Sequence, residues 1–403
     1  MICPDNECTG CFACATVCPK KAITMVEDKY GELHPKIKED ECIGCNLCLK
    51  VCPNNCSQTF YYPLKCYASW ITDDNKRRTC ASGGIATMMS EFIINTYEGV
   101  VFGARYDKDF TPVMSYTEHY EDLKYFKGSR YVQSIVGYET FRKVKQYLKL
   151  GRKILFIGTP CQISGLKSYL STDYENLITV DLICHGCSPT KYFKEEINYI
   201  IKKYGLNNIS DIRFRGNDRN NYCLSIWSDN NGQTKRIYRK AALLQPYFAG
   251  FLLGTTLREN CYSCKYARPD RISDITIGDF IGLGDTIKFP YSRYNVSSVS
   301  INTHKGESFY NEVQKSTPNM INIERDYSER LVYKPSLVEP FKPHESYFLF
   351  RKLYVEEGFV SAVRKALGPI IRRNEFRNLL NCWTYIYRIP RKVLKIIINK
   401  YVK

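Results

Sequence analysis

Two stretches of the sequence carry the same cysteine spacing, C-x-x-C-x-x-C-x-x-x-C-P. They are residues 8–19, CTGCFACATVCP, and residues 42–53, CIGCNLCLKVCP. A cubane 4Fe-4S cluster takes one thiolate for each iron atom, and with this spacing the fourth cysteine of each run crosses to the other cluster. The spacing therefore predicts two clusters, one bound by Cys8, Cys11, Cys14 and Cys52 and the other by Cys42, Cys45, Cys48 and Cys18.

The residues around the two runs fit this interpretation. Gly10 and Gly44 lie between the first two ligands of each run, where small residues suit a backbone that wraps closely around a cofactor. Residues 22–37, AITMVEDKYGELHPKI, predict a short hairpin. A pair of zinc sites is the alternative interpretation of the eight cysteines. Cys3 and Cys56 fall outside the pattern, and we interpret them as spare thiols.

Further cysteines follow predicted strands later in the chain. KILFI at 153–157 predicts a buried strand that is followed by Cys161, and NLITVDLIC at 176–184 predicts a second strand. In an open parallel sheet this is the edge at which ligands bind. A C-x-x-C pair precedes a third predicted strand, DITIGDF. Together, these positions predict a third 4Fe-4S cluster, bound by Cys161, Cys184, Cys261 and Cys264.

Two residues beside this predicted cluster leave alternatives open. Cys187 competes with Cys184 for the fourth ligand position, and the C-x-x-C pair alone is also compatible with zinc or with no metal. His185 is a candidate acid or base for the proton that accompanies each hydride equivalent. The alternative for His185 is a hydrogen-bonding scaffold residue.

A Ser-Gly-Gly turn precedes a predicted helix in the same part of the chain. Ser82, Gly83 and Gly84 come directly before the apolar, periodic stretch 85–94. The amino terminus of such a helix presents free backbone N–H groups and the positive end of the helix dipole, which suit a phosphate group. A strand, GVVFGARY, is predicted after this helix.

The composition indicates a globular chain with a basic end. The 403 residues are 44% hydrophobic and 25% charged, which is typical of a protein of two or three domains. Nineteen cysteines in a long chain without a signal peptide or apolar span favour metal binding in the cytoplasm. The net charge is +17, but no zinc-finger, zipper or RNA-binding motif accompanies it, so we expect no nucleic-acid partner.

Much of the positive charge lies at the carboxyl end. Residues 351–403 contain thirteen Lys and Arg against three Glu, and helices are predicted from Ser361 onward with interruptions at 368–369 and 389–390. We expect the last predicted helix to have one of three roles. It contacts the inner face of the membrane peripherally, packs on the body, or docks an acidic ferredoxin or a second subunit. Its basic face consists of Arg388, Arg391, Lys392, Lys395 and Lys403.

Five motifs stand in an order that resembles the coenzyme F-420 hydrogenase/dehydrogenase beta subunit family. They are ASGGIAT, KGSRYVQS, GTPCQISGL, DLICHGCSP and CYSCKYARPDRISDITIGDF. The likeness covers residues 1–290, and residues 1–57 resemble bacterial two-cluster ferredoxins. The resemblance implies FAD in an α/β body with an iron-sulfur cluster near it. The cofactor-binding residues expected on this basis are Ser82, Gly83, Gly84, Lys127, Ser129, Arg130, Gly158, Thr159, Gly278 and Asp279.

The sequence therefore predicts four segments. They are an α+β ferredoxin-like domain (1–57), a connector (58–78), an α/β flavin-binding body (79–290), and a helical, basic carboxyl-terminal extension (291–403). The predicted function is that of an iron-sulfur flavoprotein oxidoreductase, which passes electrons between its clusters and FAD and to or from a small organic substrate or a deazaflavin-type coenzyme. Ferredoxin or a reduced deazaflavin is the expected external carrier. The alternative is an electron-transfer subunit that serves a partner enzyme. The substrate, the direction of electron flow and the oligomeric state are not specified by these residues.

Overall fold

The structure is a computed structural model that describes residues 1–216 and 222–387. Its strands are β1 (Ile23–Glu27), β2 (Leu33–Ile37), β3 (Lys65–Ile71), β4 (Val100–Tyr106), β5 (Pro112–Thr117), β6 (Ile154–Gly158), β7 (Leu177–Leu182), β8 (Ile209–Arg213), β9 (Cys223–Asn230), β10 (Gln233–Ala241), β11 (Ile275–Asp279), β12 (Ser297–Ile301) and β13 (Met320–Arg325). Its α-helices are α1 (Ala13–Val17), α2 (Leu47–Lys50), α3 (Asp74–Arg78), α4 (Ile85–Tyr97), α5 (Thr140–Lys149), α6 (Pro160–Leu170), α7 (Thr190–Tyr204), α8 (Pro246–Leu252), α9 (His304–Ser316), α10 (Tyr327–Leu331), α11 (Tyr347–Glu357) and α12 (Phe359–Tyr387).

The described residues form two compact units. The first consists of Met1–Lys194, the described residues from Arg213 to Gly216, and Leu257–Lys342. The second consists of Glu195–Ile212, Tyr222–Thr256 and the described residues from Pro343 onward.

The first unit begins with the ferredoxin-like segment. Strands β1 and β2 pair antiparallel, with Ile23 opposite Ile37, so the predicted hairpin is confirmed. Short helices α1 and α2 follow the first cysteines of the two runs. The residues before these helices, Phe12 and Asn46, are both left-handed, with φ of 67° and 60°.

An eight-stranded mixed sheet forms the centre of the first unit. Its strand order is β13-β3-β12-β11-β7-β6-β4-β5, and the run β11-β7-β6-β4 is parallel. Alternate residues of a strand point to opposite sides of the sheet. Both faces of this sheet are buried by helices. Val101 and Leu155 pack with helices α4 and α9, whereas Phe102 and Phe156 pack with α5 and α6. The predicted strands at 153–157, 176–184 and in DITIGDF are therefore confirmed as β6, β7 and β11.

Two predicted boundaries differ from the structure. The segment 58–78, predicted as a connector, contains β3, which lies between β13 and β12 in the large sheet. The segment 291–403, predicted as a helical extension, contributes β12 and β13 to the same sheet. Both strands pair with partners far away in the sequence, and local patterns do not report such pairings.

The second unit combines a three-stranded antiparallel sheet with helices. The sheet order is β10-β9-β8, and helices α8, α11 and α12 belong to the same unit. The predicted interruption at 368–369 is wrong, because α12 continues through Pro369. Buried residues on both sides of the proline, including Leu367 and Ile371, anchor the helix and offset the lost hydrogen bond.

The predicted basic face of the last helix lies outside the described residues, as does the predicted interruption at 389–390. Among the helices that the structure describes, none combines the length and the apolar character needed to cross a bilayer.

Candidate electron-transfer site

The first ferredoxin group, which we define as Cys8, Cys11, Cys14 and Cys52, is buried. Cys8, Cys14 and Cys52 belong to a small apolar core near the amino terminus and are each less than a tenth exposed. Burial and the negative charges of Cys8 and Cys52 raise the pKa of Cys11 to about 12. The structure therefore brings the four predicted ligands together in a place where thiolates need a compensating cation.

Backbone N–H groups point at these sulfur atoms. The N–H of Gly10 donates to Cys8, that of Ala13 donates to Cys11, and that of Asn54 donates to Cys52. Hydrogen bonds to sulfur are one of the ways in which a protein sets the potential of an iron-sulfur cluster. The loop thus fits a cluster in both its donor atoms and its amide dipoles.

The second ferredoxin group, which we define as Cys18, Cys42, Cys45 and Cys48, lies in different surroundings. Cys42 and Cys45 are exposed, and Cys48 is half-buried. Burial and the charges of Cys42 and Cys45 raise the pKa of Cys48, so these three thiols are neighbours. Cys18 and Cys48 both pack against the core that contains Cys8, Cys14 and Cys52.

The body group, which we define as Cys161, Cys184, Cys187, Cys261 and Cys264, contains the ligands predicted for a third cluster. Cys161 lies in the first turn of α6, directly after β6, and Cys184 follows the end of β7. Burial and the charges of Cys184 and Cys264 raise the pKa of Cys161 to about 12. The ends of β6 and β7 and the loop before β11 therefore bring cysteines from three parts of the chain together.

The competition between Cys184 and Cys187 has a structural basis. The two thiols form a hydrogen bond, which lowers the pKa of Cys184 and raises that of Cys187. The positive charge of Arg271 is a smaller cause of the lowered pKa of Cys184. Arg271 itself forms a fully buried ion pair at 2.9 Å with Asp181 of β7, the strand that Cys184 follows. Five thiols thus share a site that needs four.

The cysteine groups match the donor set of cubane clusters. Every cysteine whose side chain the structure describes is a free thiol. Among the described residues, no three Cys, His, Asp or Glu side chains converge on a single metal ion. In a cubane, each thiolate binds its own iron atom, so the four sulfur atoms need not meet at one point.

The first ferredoxin group and the body group are neighbours within the first unit. Helix α1 packs on α6, and a Cβ at Gly165 would lie 2.8 Å from the Cβ of Cys11 and 3.0 Å from its Sγ. Gly165 lies one helical turn after Cys161, and the charge of Cys11 contributes to the raised pKa of Cys161. A glycine at this position therefore allows the two cysteine groups to approach closely.

The Ser-Gly-Gly turn uses part of its hydrogen-bonding capacity within the protein. The Oγ of Ser82 donates to the carbonyl of Val296 at 3.2 Å, and the N–H of Gly83 donates to the Oγ of Ser297 at 2.9 Å. A Cβ at Gly83 would lie 2.2 Å from a carbonyl oxygen of β3, so only glycine fits. Gly84, with φ of 92°, is the residue before α4.

A buried arginine joins the segments predicted to hold the flavin. Arg215, whose side chain is 4% exposed, donates from Nη1 to Oδ2 of Asp279 at 2.7 Å and from Nη2 to Oδ1 at 3.2 Å. It also donates to the hydroxyl of Tyr131 at 3.1 Å and to the carbonyl of Ala81. The turn before α4, the KGSRYVQS segment and the end of β11 therefore meet around one guanidinium.

The basic residues of KGSRYVQS are half-buried. Lys127 Nζ donates to Thr79 Oγ1 at 3.5 Å, and Arg130 stacks over Tyr106 at 4.9 Å from the ring centroid. Arg130 also donates to the carbonyls of Tyr125, Lys127 and Gly128. Ser129 hydrogen-bonds the hydroxyl of Tyr131. These contacts place the segment beside the turn before α4.

The other predicted cofactor residues lie at strand ends. Gly158 ends β6, and Thr159 caps α6 in a reciprocal pair of hydrogen bonds with Gln162. The Oγ1 of Thr159 lies 3.2 Å from the Sγ of Cys161, so this residue touches the body group. A Cβ at Gly278 would lie 2.9 Å from Ile183, which explains why a glycine stands in β11.

His185 follows Cys184 in the loop after β7. Its ring packs against Phe341, with centroids 4.2 Å apart. The loop turns at Gly186, which has φ of 131°. The placement next to the body group is as predicted, and the acid or base role stays a prediction.

The described fold joins a ferredoxin-like segment with two four-cysteine groups to an α/β body that carries a further cysteine group. Residues 151–324 match the family model for the carboxyl terminus of the coenzyme F420 hydrogenase/dehydrogenase beta subunit, and residues 7–56 match a 4Fe-4S dicluster domain. Residues 151–324 thus resemble the carboxyl-terminal part of that family, and the predicted resemblance is confirmed.

Two individual proteins are similar to the chain. The coenzyme F420-dependent sulfite reductase of Methanocaldococcus jannaschii is 26% identical over 367 residues, which cover 86% of this chain and 52% of that protein. The chain thus spans about half the length of this curated relative. A chain of the F420-reducing NiFe hydrogenase complex from Methanosarcina barkeri has 16% identity and a TM-score of 0.40, with 78% of this chain and 94% of that chain covered.

Sequence reasoning missed the buried arginines that join these segments. Arg215, Arg258 and Arg271 are each 3% exposed or less and lie beside predicted site residues. No motif contains Arg215 or Arg258, and only their tertiary contacts identify them. For Arg271, its position three residues before the predicted strand DITIGDF was a usable signal.

Proposed function

We propose that this chain is an iron-sulfur flavoprotein oxidoreductase with three 4Fe-4S clusters and FAD. The observation that carries the proposal is the succession of three cysteine groups within one unit. The second ferredoxin group is exposed, the first is buried next to it, and the body group adjoins the first through Cys11 and Gly165. This succession is what a conduction path from the surface to the interior requires.

The proposed FAD site is the junction around Arg215. A bound flavin would convert single electrons from the clusters into two-electron chemistry. Lys127, Arg130 and Arg215 supply positive charge for its phosphate groups, and Asp279 orients Arg215 through two hydrogen bonds. His185, next to the body group, is the proposed acid or base for the accompanying proton.

The proposed substrate is a deazaflavin-type coenzyme or a small organic molecule. The description of the family model names coenzyme F420, and the sulfite reductase relative is named for its dependence on that coenzyme. Ferredoxin is the other proposed carrier, because the exposed second group presents a cluster to an external protein. Each carrier would use a different end of the same path.

A second candidate is an electron-transfer subunit that serves a partner enzyme. The relative is longer than this chain, since the matched region covers only 52% of it. The activity of the longer protein can therefore require a part that this chain would obtain from a partner. A purified chain that turns over substrate only after a second protein is added would favour this candidate.

Anaerobic purification with iron counting and flavin identification tests the proposal. We expect about twelve iron atoms for each chain, because each cubane holds four, and FAD at one per chain. Replacing Cys264 with Ser should reduce the iron content to about eight and remove one centre from the electron paramagnetic resonance (EPR) spectrum.

The matched control is Cys223→Ser, which alters a buried cysteine of the second unit. It should leave iron and flavin unchanged. About eight iron atoms in the unaltered chain would remove the third cluster from the proposal, and a chain without bound flavin would remove the flavoprotein assignment.

A further inference from the structure

Arg258 is a fully buried cation at the junction between two cysteine groups. It lies three residues before Cys261, and its side chain is among the largest that are completely enclosed. Its backbone N–H donates to the carbonyl of Cys187 at 2.9 Å. The residue is therefore attached to the body group at its main chain.

The guanidinium of Arg258 reaches the ferredoxin-like segment. Nη2 donates to the carbonyl of Cys8 at 2.9 Å and to that of Leu33 at 3.3 Å. Nη1 donates to Oε1 of Gln133 at 2.9 Å, and Gln133 in turn donates to the carbonyl of Thr9. One side chain thus connects the loop of the first ferredoxin group to the loop of the body group.

The positive charge of Arg258 is only partly compensated. The closest carboxylate is that of Glu32, at 3.9 Å, and both side chains are 2% exposed. Glu32 also accepts hydrogen bonds from the backbone N–H of Glu259 at 3.1 and 3.2 Å. The carbonyl that Arg258 binds at 2.9 Å belongs to Cys8 itself, so this charge lies beside a proposed cluster ligand.

The second ferredoxin group has a different electrostatic neighbourhood. Cys42, which corresponds to Cys8 in the repeat, follows three acidic residues at 39–41 and is exposed to water. A positive charge near a cluster stabilises its reduced form, whereas negative charge and solvent oppose or screen such an effect. The two ferredoxin groups should therefore differ in reduction potential.

We propose that Arg258 is a positioning residue that fixes the first ferredoxin group against the body group and raises the reduction potential of the buried ferredoxin centre above that of the exposed one. The proposal rests on the proposed function, since it assumes that clusters occupy both groups. The consequence is a downhill step for electrons that enter at the exposed centre and move inward.

Redox titration of the full chain, followed by EPR, tests the proposal. The signal of the exposed centre is identified as the one that is lost in Cys45→Ser. Arg258→Met should lower the reduced-to-oxidised ratio of the buried ferredoxin centre about tenfold at a fixed potential, which is about 59 mV for a one-electron couple. Arg258→Lys, which keeps the charge, should change the ratio less.

Glu32→Gln gives a test with the opposite sign. It removes the carboxylate while keeping the shape, so it should raise the reduced fraction of the same centre. If the role of Arg258 were purely structural, Arg258→Met and Glu32→Gln would not change the reduced fraction in opposite directions. If Arg258→Met does not fold, the pair Glu32→Gln and Arg258→Lys still decides the outcome, and an unchanged potential in Glu32→Gln overturns the proposal.

The matched control is Arg325→Met, which breaks the buried ion pair between Arg325 and Glu329. Arg325 also donates hydrogen bonds to the carbonyls of Ile287 and Lys288. It should leave all centres at their potentials. Failure of the two proposals can be told apart: an unaltered chain without clusters overturns the proposed function, whereas intact clusters that do not respond to Arg258→Met overturn only this inference.

Discussion

The two cysteine runs of the ferredoxin-like segment have nearly the same backbone. Gly10 and Gly44 have φ of 63° and 64°, and the residues two positions later, Phe12 and Asn46, are both left-handed. The surroundings of the two runs nevertheless differ. Phe12 is 4% exposed and packs its ring against Tyr138 at a centroid distance of 5.5 Å, whereas Asn46 is exposed.

The two runs differ in the residues that lie between the cysteines. The first run contains Phe12 and Ala13, both of which belong to the core of the body. The second run contains Ile43 and Leu47, which are 59% and 37% exposed. One run therefore docks on the body, and the other forms a surface, although the ligand spacing is identical.

Ligand spacing and cluster environment are therefore separate properties of a sequence. Spacing decides which cluster can form. Burial and nearby charge decide its potential and its access to an external carrier. The repeat thus provides two similar centres, and the body makes them different.

Removal of one proposed cluster ligand from each run should have the strongest consequences for stability. Cys14→Ser should lower the free energy of unfolding by more than about 4 kcal/mol, because loss of a metal site is among the changes that destabilise most. Cys45→Ser, in the exposed run, should lose one centre while the body stays folded. Iron analysis combined with urea unfolding measures both quantities.

The comparison fails if the two variants are equally destabilised. That result would mean that the exposed run supports the fold as much as the buried one. Cys223→Ser in the second unit again controls for the loss of a thiol without loss of a ligand.

Substitution of Gly10 and of Gly44 should give a smaller difference in the free energy of unfolding. Gly10→Ala and Gly44→Ala impose the same left-handed strain, but a Cβ at Gly10 would lie 2.7 Å from Nε2 of Gln133, and at Gly44 nothing lies within 4 Å. Gln133 cannot move freely, because Arg258 and Thr9 hold it. Gly10→Ala should therefore cost about 1–3 kcal/mol more in unfolding free energy, as overpacking does.

Urea unfolding of the two variants, side by side, measures this difference. Since the strain term cancels between them, the difference reports packing alone. Equal unfolding midpoints would show that the junction at Gln133 accommodates a methyl group and is looser than the distances indicate.

Much of the site was predictable because cluster ligands obey a local spacing rule. The eight ferredoxin cysteines and the strands before Cys161 and Cys184 were predicted from short patterns, and the structure places the strands as expected. The assignment of ligands to particular clusters stays a prediction. The hairpin at 22–37 was equally local.

The rest depended on contacts between distant residues. Strand β3 pairs with β12 and β13, more than 200 residues later, so a local pattern could not distinguish it from a connector. Arg258 is separated from Cys8 by 250 residues. The continuity of α12 through Pro369 reflects packing of the residues around it, which propensity alone does not contain.

A substitution on the surface of the exposed run should hardly change stability. Ile43 is 59% exposed beside Cys42, so Ile43→Ser should change the free energy of unfolding by no more than about 0.5 kcal/mol. An exposed apolar side chain beside the second ferredoxin group favours docking, because the buried centre of a protein–protein interface is more apolar than its rim. The substitution should therefore slow reduction by ferredoxin, measured by stopped flow, while Val332→Ser, at a site 57% exposed, should not. Equal rates in both variants would mean that the external carrier docks elsewhere, and the exposed run would then lose its role as the entry point.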